Sequence, residues 1–371
     1  MIRLLSLGVG YGGRVGDCTI MSDGKVTLVI DGYCSATADK VIKYLKARNV
    51  NAPYLFISHA HYDHYDGIRK IIKDKWFSPK ALYLYKPATL NPNFSRDVAE
   101  ERKTLQAIID LAKSRGIPVK YMDHGTYKFG DIRLKAARIQ PKTAKNSDAY
   151  LNDGSLCFYF YDLGFVTSGD GPSDIGDLCK AKRWHPVFFK IPHHGNNCSE
   201  HNARWLKNNG ARYCWDNDPS KTITEFLRYG RQRCQQAGIK WLSNNTDLNA
   251  IWQNGKCSIY KDGVVYRYEC GYKGRTALRN PTVSVVRSVM RGTYGNGDAR
   301  TTNLIDAGFY PVATQNRVNK VESFARGIMD GTMDFGKNAV RIAKIDKLMG
   351  AGYGQLVQDY INVLSGKKKS V

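Results

Sequence analysis

Apolar residues in the first 270 positions fall into short runs that switch between two periods. RLLSLGVG, DCTIMS and KVTLVIDG follow one another, broken by glycine-rich turns, and predict three strands. ATADKVIKYLKARNV has apolar residues at helical spacing behind an Ala/Thr/Asp start and predicts a helix. Farther along, PYLFISH, ALYLY, DIRLKAARI, SLCFYFYDLG, FVTSGD, HPVFFKIPH, ARYCWDND, KCSIYKDG and VVYRYEC predict strands. DGIRKIIKDKW and the long RDVAEERKTLQAIIDLAKSRG, closed by Gly116 and Pro118, predict helices. Strands dominate early and both types alternate later, the pattern of layered sheets covered by helices.

The texture changes at GYKGRTALRNPT (271–282), which is polar, rich in Gly and Arg, and predicts a linker. A weak internal repeat follows. Met290, Gly292 and Thr293 recur as Met329, Gly331 and Thr332, and Asn319 recurs as Asn362 with a slightly longer offset. Each unit reads as short helices around a glycine-rich joint, which predicts an all-α array of binding modules. The expected organisation is a domain over 1–270, the linker 271–282, one repeat over 283–321 and a degenerate second repeat over 322–366.

Composition narrows the class. The chain has 371 residues and a formal charge of +23, of which residues 271 onward hold 16 Lys/Arg against 7 Asp/Glu. That excess predicts attraction to polyanions: nucleic acid, anionic lipid or a phosphate-rich wall. No apolar run approaches the ~20 residues of a membrane span. The start MIRLLSLGVGYGG reads as a first strand, not as a signal peptide. Nine scattered cysteines without a C-x-x-C pair point to a reducing cytoplasm as the place of synthesis.

The densest chemistry lies at 58–67, SHAHYDHYDG, just after an apolar strand. His59 and His61 are two apart and can point the same way from a strand end. Asp63 and His64 follow, in what reads as a turn. Imidazole and carboxylate are the ligands a zinc- or manganese-like ion accepts. FVTSGD ends a second apolar strand with Asp170, and FFKIPHHGN ends a third with His193 and His194. Three strand ends would then build a two-metal site on one sheet edge. Neighbouring Tyr62, Tyr65, Lys190, Asn196 and Asn197 are candidates for holding a phosphate or orienting substrate.

His59, His61, Asp63 and His64 match the H-x-H-x-D-H signature of the metallo-β-lactamase fold superfamily, and the chain over 1–268 resembles it. Asp31, in VIDG, matches that family's aspartate after an early strand. RVGDC (14–18), NDGSL (152–156), TSGD (167–170) and KIPHHGN (190–196) resemble the branch of late-competence DNA-internalisation proteins and the pneumococcal teichoic-acid phosphorylcholine esterase. The resemblance implies an α/β fold, an αββα sandwich, with two divalent ions, zinc first and manganese second. It implies that Asp170 bridges the ions, that His193 binds the second with His194 assisting catalysis or the two exchange these roles, and that Asp63 takes part in catalysis. Many relatives supply another histidine between the signature and the bridging aspartate. Here His124 lies too early, and Asn152 or Asp153 stands near the expected place.

GTYGNGDAR followed by LIDAGFYPVATQNRVNKV resembles the cell-wall-binding repeat of certain phage lysozymes and other endolysins, through Gly295, Gly297, Asp298, Arg300, Val318 and Asn319. The second copy keeps Gly336 and Arg341 and lacks the acid. Together the two resemblances imply a metal-dependent phosphodiesterase acting on teichoic acid or its substituents, with peptidoglycan and teichoic acid as partners. They imply synthesis in the cytoplasm and action at the wall after release, as in a phage lysin. A nuclease or cyclic-nucleotide phosphodiesterase with nucleic acid as partner, and a peptidoglycan amide hydrolase, are the alternatives.

Overall fold

The computed structural model describes residues 1–8, 16–86, 96–138, 148–217, 229–243, 245–274 and 278–371. Arg14 and Val15 of RVGDC and residues 275–277 of the expected linker lie outside them. The chain forms two compact units, Met1–Thr276 and Ala277–Val371.

The first unit contains two mixed sheets. In chain order the strands are β1 Ile2–Ser6, β2 Thr19–Ser22, β3 Thr27–Ile30, β4 Tyr54–Phe56, β5 Ala81–Leu84, β6 Val119–Tyr121, β7 Gly125–Phe129 and β8 Ile132–Arg138. They continue as β9 Leu156–Phe160, β10 Phe165–Thr167, β11 Phe188–Lys190, β12 Tyr213–Trp215, β13 Lys240–Leu242, β14 Leu248–Gln253, β15 Lys256–Lys261 and β16 Val264–Glu269. One sheet has the order β16-β15-β14-β1-β2-β3-β4-β5-β6, the other β13-β12-β11-β10-β9-β8-β7. Pairing is parallel from β3 to β6 and from β10 to β13, and antiparallel elsewhere.

Side chains alternate between two interiors, which explains the unbroken apolar runs. Ile2, Leu4 and Phe56 meet Phe158, Phe165, Trp215 and Trp252 between the sheets. Leu5, Val29, Leu55 and Leu82 face the other way, against Val41, Leu45, Ile68, Ile71 and Ile108 of the helices Ser35–Ala47, Tyr62–Lys73 and Arg96–Ser114. The second sheet is covered likewise by Ile175–Lys182, Glu200–Asn208 and Tyr229–Gln236 through Leu178, Leu206 and Cys234. The result is the expected α/β fold in four layers, helix–sheet–sheet–helix, followed by an all-α unit.

Three differences have local causes. β14 pairs with β1 at the centre of its sheet, although LNAIWQ does not stand out as a strand. Its Asn249 is buried and disguises the pattern, and it is satisfied there because Arg3 Nη2 donates to its Oδ1 at 2.7 Å. Asp63 and His64 occupy no turn but the first turn of the helix Tyr62–Lys73, with His61 extended at its N-cap. In the second unit the helices are Val283–Met290, Gly297–Asp306, Pro311–Met329, Asn338–Met349 and Tyr353–Leu364. The border expected between 321 and 322 falls inside the 19-residue helix Pro311–Met329, whose Val318, Val321 and Ala325 share one core with Val286, Leu304, Ile345 and Leu356. No break is needed, since one apolar stripe serves both halves.

Candidate metal centre

The site sits beyond the carboxyl ends of parallel strands, where open α/β sheets gather ligands. Asp31 follows β3, His59 to His64 follow β4, Asp170 follows β10, and His193 and His194 follow β11. Two glycines let the loops close. Gly16 has φ +74°, and a Cβ there would stand 1.8 Å from the Asp63 carbonyl oxygen. Gly169 has φ +56°, and a Cβ there would stand 2.3 Å from Ser58 Oγ.

Asp170 faces three imidazoles. Its Oδ1 lies 3.2 Å from His64 Nε2, and its Oδ2 lies 3.4 Å from His194 Nε2 and 3.9 Å from His59 Nε2. His194 Nε2 is also 3.1 Å from Asp63 Oδ2, and His64 Nε2 is 3.8 Å from Asp63 Oδ1. On the other side, His61 Nδ1 lies 3.0 Å from His59 Nε2. Ligand atoms sharing one tetrahedral ion at zinc–nitrogen distances sit about 3.3 Å apart, so these spacings suit co-ligation. Among the described residues, His59–His64–Asp170, Asp63–His64–His194, Asp17–Asp170–His194 and Asp17–Asp31–His64 are each close enough to hold a metal ion.

The hydrogen bonding argues for a cation. Asp31 accepts from Ser58 N and Ser58 Oγ, both at 2.8 Å, and its Oδ2 lies 2.9 Å from His64 Nδ1. With that nitrogen donating, His64 presents a bare Nε2, and the carboxylate fixes the ring as an outer partner fixes a ligating imidazole. His64 Nε2 and Asp170 Oδ1 are buried without a hydrogen-bond partner, although they face each other. Two lone pairs so placed repel unless a positive charge lies between them, so the residues fit a divalent ion.

In place of an ion the same carboxylates favour a proton on His64 and His194. Burial alone would push His64 toward the neutral form, yet Asp170, Asp31 and Asp63 raise its pKa well above the usual imidazole value. His194 behaves alike, with burial outweighed by Asp170, Asp17 and Asp63. Asp170 is held well below the carboxylate range, because His194 and His64 overcome its desolvation. His59 moves down through burial and the neighbouring imidazoles.

Other expected site residues are placed as follows. His193 is half-buried, with its ring centroid 6.0 Å from that of His194, and among the described residues the candidate metal groups contain His194 and not His193. Lys190 is buried, in contact with Asp17, and donates to the Gly169 carbonyl at 3.0 Å. Asn152 Oδ1 is buried without a hydrogen-bond partner, and Asp153 accepts from Ser173 Oγ. Asn196 is half-buried, and its backbone N–H donates to the His193 carbonyl at 3.1 Å. Asn197 Nδ2 donates to the carbonyls of Asp170 at 2.9 Å and Pro172 at 3.2 Å, which fixes the loop that carries Asp170. Tyr62 is exposed, Tyr65 donates to Glu101, and His124 is exposed beside Asp123.

Asp17 has no role in the sequence reading beyond its place in RVGDC. It lies 3.5 Å from His194 Nδ1 and accepts from Asn217 Nδ2 at 3.2 Å. A carboxylate in a glycine-containing loop just before an apolar strand was the available signal.

Comparison with known proteins gives one family match. Residues 284–321 match the CW_7 repeat, a cell-wall repeat. No curated protein matches the chain. Among solved structures, it is similar to the metallo-β-lactamase fold protein YhfI from Bacillus subtilis, with 14% identity, 66% of this chain and 96% of the other covered, and TM-score 0.43. Igni18, a metallo hydrolase from Ignicoccus hospitalis, gives 15% identity, 68% and 100% coverage, and TM-score 0.39. A diphosphatase of the PhnP family gives 11% identity, 58% and 85% coverage, and TM-score 0.37. With scores below 0.5, assignment rests on the site residues themselves. No helix among the described residues is long and apolar enough to cross a membrane.

Proposed function

We propose that the first unit is a dinuclear metal-dependent hydrolase of the metallo-β-lactamase type, a phosphodiesterase of the bacterial cell wall acting on teichoic acid or its substituents. The observation that supports this is Asp170 facing His59, His64 and His194, with His61 beside His59 and Asp63 beside His64 and His194. His194 takes the ligand place that the family resemblance gives to His193. When bound, a pair of divalent ions supplies Lewis acidity and lowers the pKa of water toward neutrality, which suits phosphodiester hydrolysis. Asp31 orients His64 through Nδ1, and Asn197 fixes the main chain at Asp170 and Pro172. Lys190 neutralises Asp17 beside His194, a structural task in place of phosphate binding. The wall as place of action rests on the CW_7 match, and the net charge of +23 suits an anionic wall polymer.

The test is incubation of purified walls, isolated teichoic acid and DNA with the metal-loaded protein, with and without chelator, and identification of the products. Expected are phosphate-containing fragments from wall or teichoic acid, abolished by chelator and by Asp63→Ala, with about two metal ions bound per chain. Cleavage of DNA with the wall left intact would replace this reading with a nuclease. Release of free amino groups from peptidoglycan would replace it with an amide hydrolase.

A further inference from the structure

The family match stops at residue 321, but the hydrogen bonding of the second unit does not. Gly295, with φ +73°, precedes the helix Gly297–Asp306, and Gly336, with φ +78°, precedes the helix Asn338–Met349. In the matched segment Arg300 Nε donates to the Gly295 carbonyl at 2.9 Å and Nη1 to Gln315 Oε1 at 2.7 Å. Gln315 Nε2 then donates to Asn319 Oδ1 at 2.7 Å. In the unmatched segment Arg341 Nε donates to the Gly336 carbonyl at 2.9 Å and Nη1 to Gln358 Oε1 at 3.1 Å. Gln358 Nε2 donates to Asn362 Oδ1 at 3.3 Å. The same chain of donors and acceptors, from the same four residue types, is built twice.

Packing does not demand this. Both arginines and both glutamines are half-buried at the surface of the unit, and the apolar core is made by other residues. The surroundings have changed between the copies, for the buried Thr314 corresponds to Val357. A surface relay costs side-chain entropy in ordering arginine and glutamine. Its repetition in divergent surroundings points to recognition.

We propose that residues 327–364 form a second ligand site for the same wall polymer as 284–321, so that this unit is bivalent. The inference rests on the wall-binding reading above. Guanidinium and carboxamide groups offer donors and acceptors for the hydroxyl, amide and carboxylate groups of a glycan–peptide strand. The two sites differ in charge. Lys337 stands where the first copy has Asn296, which accepts from Arg300 Nη2 at 2.8 Å, and Ala339 stands where it has Asp298. Across the whole segments the balance reverses, with five Lys/Arg against two Asp/Glu in 284–321 and four against four in 327–364.

The test uses the full chain with chelator, to prevent turnover, and peptidoglycan sacculi stripped of teichoic acid as the probe. Gln315→Ala, Gln358→Ala, Arg341→Ala and the double glutamine variant are compared, with helix content and melting measured to verify folding. The glutamines lie outside the apolar core, so their variants keep the test open if Arg341→Ala unfolds. Each single change is expected to lower apparent affinity about tenfold or more, and the double variant to abolish retention. Wild-type retention for Gln358→Ala together with loss for Gln315→Ala would overturn bivalency and leave the wall reading intact. Failure of the wild-type chain to bind sacculi would overturn the wall reading itself, and the second site with it.

Discussion

Replacing Lys190 by Met tests whether the metal-binding cluster depends on a buried counter-charge. Lys190 is 1% exposed, and the Asp17 side chain it contacts is 4% exposed. Burial pushes the Lys190 pKa down, but Asp17 and Asp170 more than restore it, and Lys190 in turn keeps Asp17 ionised against its own desolvation. Lys190→Met removes the cation and leaves Asp17 buried with Asn217 Nδ2 at 3.2 Å and His194 Nδ1 at 3.5 Å. Breaking one side of a buried pair costs about 3–5 kcal/mol. At roughly 2–4 °C per kcal/mol for a unit of this size, melting should fall by about 10 °C. All six tryptophans lie within the first unit, at 76, 184, 205, 215, 241 and 252, so tryptophan fluorescence follows that unit alone. The measurement belongs at neutral pH with chelator present, so that bound metal does not mask the loss. Asp17→Asn should also destabilise, and the double variant should lose much less than the sum, with a coupling of about 2 kcal/mol or more. A shift under about 3 °C for Lys190→Met, or additive losses in the cycle, would refute the reasoning.

Two further predictions concern a loop and a helix pair. Gly16→Ala places a Cβ against the Asp63 carbonyl and forces an alanine into the left-handed region, so it should cost about 2–3 kcal/mol and weaken metal binding, by melting and metal titration. Gly24→Ala, at φ +90° with open space around it, is the control and should cost the backbone part alone. Asp359 accepts from Arg287 Nη1 and Lys368 Nζ, both at 2.7 Å, tying the helix Tyr353–Leu364 to Val283–Met290. Burial pushes its pKa up, but Lys368, Arg287 and Gln355 pull it below the usual carboxylate value. Such a depressed group stabilises above its unfolded value near 3.9 and loses that contribution as pH falls through its folded value. Asp359→Asn should therefore cost about 1–2 kcal/mol at pH 7 and almost nothing near pH 2, read by amide exchange in the helix Tyr353–Leu364. An equal deficit at both pH values would contradict an electrostatic role.

Much of this molecule is legible without coordinates. Apolar runs of four to six residues separated by glycine turns define most strands, because a strand buried on both faces needs no polar alternation. The ligand types declare themselves as well, since histidines and aspartates crowding the ends of apolar strands have few other uses. What the sequence could not decide is which of two adjacent histidines faces the acids. His193 and His194 are identical in type and both left-handed in backbone, at φ +51° and +52°, and the turn between β11 and the following chain aims one ring at Asp63 and Asp170. The pairing of Asp17 with Lys190 spans 173 positions and leaves no local pattern, because it joins the loop before β2 of one sheet to the end of β11 in the other. Periodicity is a property of neighbours along the chain, and contact across loops is a property of the closed fold.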